Sequence, residues 1–178
     1  MMNNRERINV IMKKILTMFH VAVTVVSWAM LMISFSVLLS RWNMLPEQIG
    51  VHFNPPTGEF DLYDDKIHAF YPYIVGFGGL LFLEIASFLA KKIKSGMKIN
   101  ADGERLFRAG VCILLDMVKI CLSVFWVNWA DCVIRQKAMN VKIPLAASEI
   151  VRVAFIVFLF LMVVIRVKYK KVQEVSND

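Results

Sequence analysis

Four stretches of this chain are each apolar over a length that can cross a bilayer, and no other feature limits its fold as strongly. A helix through a hydrocarbon core of roughly 30 Å needs about 20 mostly apolar residues. Residues 15–40 meet that rule, interrupted by Thr17, His20, Thr24 and Ser27. Residues 69–90 meet it with one acid, Glu84, and residues 109–130 meet it with Asp116 and Lys119 inside. In the fourth stretch, 146–167, the uninterrupted apolar run Val153 to Ile165 is short, and it spans only if Glu149 and Arg152 lie near one end and reach outward. A water-soluble chain of 178 residues has too little interior to bury four such helices. The expected fold is an all-α membrane bundle of four helices, one domain over residues 1–178, with an outer loop at 41–68 and an inner loop at 91–108.

Charge sets the expected orientation. Of the 21 basic residues, 14 lie before the first span, between the second and third, or after the fourth, among them Arg5, Lys13, Lys91, Arg105, Arg108 and Lys171. Segment 41–68 is instead acidic, with Glu47, Glu59, Asp61, Asp64 and Asp65 against Arg41 and Lys66. Lys and Arg accumulate on the cytoplasmic side of membrane proteins. Both termini are therefore expected in the cytoplasm of a multi-pass cell-membrane protein, and the net charge of +7 reads as a topology signal and not as a nucleic-acid surface. The first span is longer than a secretory signal core and lacks a clear small-x-small cleavage site, so an uncleaved signal anchor is expected. Trp42, Phe70, Tyr71, Tyr73, Trp126 and Trp129 fall at the outer ends of spans, where amphipathic rings favour the interface.

Chemistry inside the membrane is confined to a few residues. Cys112, Asp116, Lys119, Ser123 and Trp126 are spaced four, three, four and three apart, which puts them on one helical stripe. Thr17, His20, Thr24, Ser27 and Ser34 make a similar stripe on the first span, and the second offers Glu84 and Ser87. Buried charge is costly in a bilayer and faces the bundle interior. Glu84 and Asp116 lie at similar depth, roughly 10 Å from the inner end at 1.5 Å per residue, with Lys119 one turn deeper. A polar cluster of His20, Glu84, Asp116 and Lys119 follows, read either as an interlock that sets helix register or as an ion or proton path. Gly76, Gly78 and Gly79 can allow close helix approach. The three cysteines show no metal-ligand or redox spacing and read as packing residues. No nucleophile elbow, HExxH or P-loop is present, and no cofactor is implied.

The outer loop carries a different signal. Gln48 to Asn54 can extend as a strand, Pro55-Pro56-Thr57-Gly58 forces a turn, and Phe60 to Tyr63 can return. Such a hairpin is marginal alone and has to rest on the helix ends. In sequence the segment reads Leu45, Pro46, Ile49, His52, Phe53, Asn54, Gly58, Asp61 and Lys66. This pattern resembles a bacterial domain-of-unknown-function family found at the front of SdpI-type toxin-immunity membrane proteins. That family has Leu-Pro-x-x-Ile-Pro-x-His-Phe/Trp-Asn … Gly … Asp … Lys after its first membrane helix. The resemblance covers roughly Leu38 to Leu80. Gly50 stands where the family usually has proline, and the turn is one residue longer.

The resemblance implies a small, non-enzymatic bacterial membrane protein in immunity against a secreted peptide or in sensing an envelope signal. Its outer loop would meet that peptide or envelope partner, and its basic inner loop a cytoplasmic protein. His52, Asn54, Asp61 and Lys66 can equally serve only to close the loop. A metal site from His52, His68 and the Asp61, Asp64, Asp65 cluster has no standard ligand spacing. A small transporter using the intramembrane charges is the alternative function, and a membrane enzyme the third.

Overall fold

The computed structural model describes residues 4–54 and 56–170; the side chains of residues 4–6, 8 and 9 are outside that description. Arg5, Pro55 and Lys171, used above for charge or turn, therefore have no described side chain. Four helices are long and apolar enough to cross a membrane. They are α1 (Asn4–Arg41), α2 (Tyr71–Ala90), α3 (Ala101–Arg135) and α4 (Lys142–Lys168). A two-stranded antiparallel hairpin, β1 (Gln48–Phe53) and β2 (Phe60–Asp65), lies between α1 and α2. Short 3-10 turns, Trp42–Met44 and Lys66–Phe70, join it to the helices. The expected fold class is the observed one.

The helix bounds differ from those expected. α1 starts well before residue 15, and α3 runs from Ala101, so the connection opposite the hairpin ends at Asn100 and not at 108. Hydropathy marks only the part of a helix that suits lipid; caps mark where the backbone stops. Asn100 accepts a hydrogen bond from the Gly103 amide, and Asp102 and Glu104 occupy the first turn, where carboxylates meet the positive end of the helix. Glu104 also takes hydrogen bonds from the Ser95 hydroxyl and amide, which folds the connection back onto α3. Asn100 N donates to Tyr169 O at 2.9 Å, tying that end of α3 to the end of α4.

α3 is the hub: it packs against α1, α2 and α4, whereas α1 and α2 touch each other little. α4 leans on α3 through Phe158 and Leu161 and buries only Ile165 fully, leaving most of its apolar side chains facing outward. That suits a lipid surround, in which apolar faces need no protein cover. Gly76 and Gly79 face Leu31, Trp126 and Leu122 at close range; Gly78 has nothing near it. Of the three glycines only two thus serve helix approach.

The main apolar core lies at the hairpin end. Leu38, Leu45, Ile49, Phe53, Ala69, Tyr73, Ala130, Val133 and Met139 bury one another there. Water reaches this end, so the hydrophobic effect acts on it; between the spans it does not. Ile49 and Phe53 point down from β1, and Phe53 stacks on Phe60 at 4.3 Å and meets Trp129 edge-on at 5.4 Å. Tyr73 is not an interface residue as expected: it is 1% exposed and its hydroxyl donates to Ser34 O at 2.9 Å.

Candidate functional site

Two places gather the singled-out residues. The first lies inside the bundle, toward the end opposite the hairpin. Lys119 on α3 is 0% exposed, with its Nζ 2.9 Å from Glu84 Oε1 on α2 and 3.1 Å from Asp116 Oδ1 one turn back on α3. His20 Nδ1 on α1 is 2.9 Å from the same Asp116 oxygen. The structure thus brings His20, Glu84, Asp116 and Lys119 together from three helices. Thr24 joins them, donating to Glu84 Oε1 at 2.9 Å.

Sequence reasoning missed Lys91. Its Nζ is 3.3 Å from His20 Nε2, and an ammonium can only donate. His20 Nε2 then accepts from Lys91, and Nδ1 faces Asp116 Oδ1. Lys119 pairs with both Glu84 and Asp116, and Lys91 adjoins the cluster only through His20. Lys91 was legible only as part of a basic run, because its place in the cluster depends on α2 ending beside α1.

Toward the hairpin, the polar stripe is interrupted. Ser27 is buried without a hydrogen-bond partner for its hydroxyl, as is Ser87 of α2 on the other side of Glu84, away from the hairpin. Leu31 and Leu80 are both 0% exposed and lie between this level and the Ser34–Tyr73 pair. Ser123, on the same stripe of α3, returns its hydroxyl to Lys119 O at 2.9 Å.

The second place is the hairpin. Gly58 has φ +72°, in the left-handed region, and its amide donates to Asn54 O at 2.7 Å to close the turn. Met139 N donates to Gly58 O at 2.7 Å, and a Cβ on Gly58 would lie 2.3 Å from Met139 O. Glycine is therefore required both for backbone angle and for contact with the α3–α4 connection. Gly50 answers the departure from the family pattern: its amide donates to Gln136 Oε1 at 2.9 Å, a bond that proline lacks the hydrogen to make. The Phe60 ring fills the space where a Gly50 side chain would go. Gln136 itself ends α3 in the left-handed conformation, φ 48°, where glycine is usual.

His52 Nδ1 meets Asp61 Oδ1 across the strands at 2.5 Å, and His68 Nδ1 meets Asp64 at 3.0 Å. The histidines thus face separate carboxylates. Among the described residues, no group of three or more His, Cys, Asp or Glu is placed to hold a metal ion. Lys66 pairs with Glu47 at 2.7 Å and lies 5.6 Å over the Trp42 ring; it does not reach Asp61. Leu45, Ile49 and Phe53 are core, Pro46 is exposed, and Asn54 serves the turn through its backbone. β1 has its outer edge against α3 through Gln136, whereas Asp61 to Asp65 of β2 are all exposed. Arg152, at the same end, pairs with Glu149 at 3.1 Å; Asp131 is taken by Arg135 and Lys137.

Compared with family models, curated proteins and solved structures, the chain matches none.

Proposed function

We propose that this chain is a non-enzymatic bacterial cell-membrane protein whose outward-facing hairpin docks an extended basic peptide, in immunity or in sensing. The observation that carries the reading is β2. It is an exposed edge strand that presents Leu62 and Tyr63 at 55% and 58% exposure among Asp61, Asp64 and Asp65. An unpaired edge offers backbone donors and acceptors to an incoming strand, and the acidic row favours a cationic one. The hairpin is fixed to the end of α3 by Gly50–Gln136 and to the α3–α4 connection by Gly58–Met139, so occupancy at β2 acts on the hub helix. Both termini lie in the cytoplasm in this reading, on the strength of the Lys and Arg bias. The sequence resemblance of Leu45–Lys66 to the immunity-protein family points the same way.

The test is growth of a bacterial host, with and without the chain, against a panel of cationic membrane-active peptides. Protection is expected against at least one extended peptide, and Leu62→Lys with Tyr63→Lys should remove it at unchanged protein abundance. No protection across the panel, or protection indifferent to the variant, refutes the reading.

A second reading, transport of protons or cations, has one observation in its favour: Asp116 and His20 line the floor of a cleft of about 690 Å³ that opens at the end opposite the hairpin. Leu31 and Leu80 close the other direction. Flux across vesicles holding the pure protein, abolished in Lys119→Met, would favour this second reading over the first.

A further inference from the structure

The same cleft has features that neither reading uses. It lies between residues 10–20 of α1 and residues 105–116 of α3, whose facing positions Lys13, Thr17, His20 and Arg105, Ala109, Cys112 repeat at helical spacing. Four cations line it: Lys13, Lys91, Arg105 and Arg108. Among the described residues Asp116 at the floor is the one acid on its wall, and it is already engaged by His20 and Lys119. Among the described residues Lys13 and Lys91 have no carboxylate within 4.0 Å, and Arg105 and Arg108 reach theirs only at 3.7 and 3.9 Å. Lys91 also donates to His20 Nε2, and Arg108 to Ile93 O at 3.0 Å and Lys91 O at 3.4 Å, which leaves Lys13 and Arg105 the least satisfied of the four at the opening.

The walls are apolar. Val10, Leu16 and Ile113 line the cleft, and Val10 and Ile113 are also exposed on the outer surface of the bundle at 57% and 39%. The opening is thus continuous with the lipid-facing side, and not a funnel into water alone. Its volume falls within the roughly 300–1,000 Å³ of pockets that enclose a small ligand or head group.

We infer that this cleft binds an anionic phospholipid from the leaflet at that end, with its phosphate among Lys13, Lys91, Arg105 and Arg108 and an acyl chain along Leu16 and Ile113. Charge selects the ligand's head, and the apolar wall selects a lipid over a free anion. Basic pockets between membrane helices take anionic head groups on the same electrostatic ground.

The experiment uses the full chain in a neutral maltoside detergent, with thermal unfolding followed by intrinsic tryptophan fluorescence; no tryptophan lines the cleft. Short-chain dioctanoyl phosphatidylglycerol, dioctanoyl phosphatidylcholine and inorganic phosphate are titrated separately. Phosphatidylglycerol is expected to raise Tm saturably, and the other two are not. Lys13→Gln combined with Arg105→Gln should weaken the apparent affinity about thirtyfold, the scale expected for two head-group cations at a lipid surface. If that variant does not fold, acyl length decides on the native chain: dihexanoyl phosphatidylglycerol should bind more weakly than dioctanoyl, by more than the phosphatidylcholine pair differs. Equal effects of the two head groups, full affinity in the double variant, or inorganic phosphate matching the lipid would each overturn the inference.

Discussion

Replacing Lys119 by methionine removes the one fully buried cation from a site that holds two carboxylates. In the native chain Lys119 Nζ is 2.9 Å from Glu84 Oε1 and 3.1 Å from Asp116 Oδ1. At an effective dielectric near 20, attraction at such distances is on the order of 5 kcal/mol per contact before desolvation is charged against it. Burying the three groups offsets most of that, so the net worth of the intact cluster is small. Removing one member is different, because its partners stay buried. Asp116, with a side chain 2% exposed, keeps only His20, while Glu84, 26% exposed, keeps Thr24 and some access to solvent. The full cost of breaking a buried pair is about 3–5 kcal/mol. The partial exposure of Glu84 and protonation of an acid lower the expected loss to about 2–4 kcal/mol. Methionine matches the lysine stem closely, so packing contributes little to this figure. The assay is equilibrium unfolding in mixed micelles. A triple variant, Glu84→Gln, Asp116→Asn and Lys119→Met, removes all three charges and should recover at least half of the single-variant loss. A single variant as stable as the native chain, or a triple variant no better than the single, would refute the interlock argument.

Four further outcomes are expected. Gly58→Val combines a left-handed φ with a clash against Met139 O and should cost about 2–4 kcal/mol, read by the same unfolding assay. His52→Ala removes an exposed contact with Asp61 and should cost about 1 kcal/mol or less; loss of a cellular phenotype at full abundance would then mean that His52 contacts a partner. Gln136→Gly eases the helix end but loses the bond to Gly50, so global stability should change by less than about 1 kcal/mol while hydrogen exchange at the Gly50 amide accelerates. With native cysteines removed, Thr57→Cys should label with an impermeant reagent in intact cells and Lys94→Cys should not; the reverse pattern overturns the proposed orientation.

Much of this architecture was written in the sequence, because a bilayer leaves a chain few options. Apolar length alone fixed four helices, since a backbone in lipid has to satisfy its own hydrogen bonds. The turn at Gly58 was legible as well, through the local chemistry of Pro-Pro-Thr-Gly. Helical spacing put Asp116 and Lys119 on one stripe, but no pattern within α3 could name Glu84 of α2 or Lys91 as their neighbours. Those contacts depend on how far each helix extends past its apolar run and on which helix serves as hub. The same holds for Tyr73, whose burial against Ser34 reversed its expected place at the interface. Gly50 and Gln136 show the limit most plainly: neither stands out alone, and each makes sense only once the hairpin rests on the end of α3. A sequence records the solvent each segment needs; which side chains meet is decided by the relative placement of segments, and that is settled by packing over the whole chain.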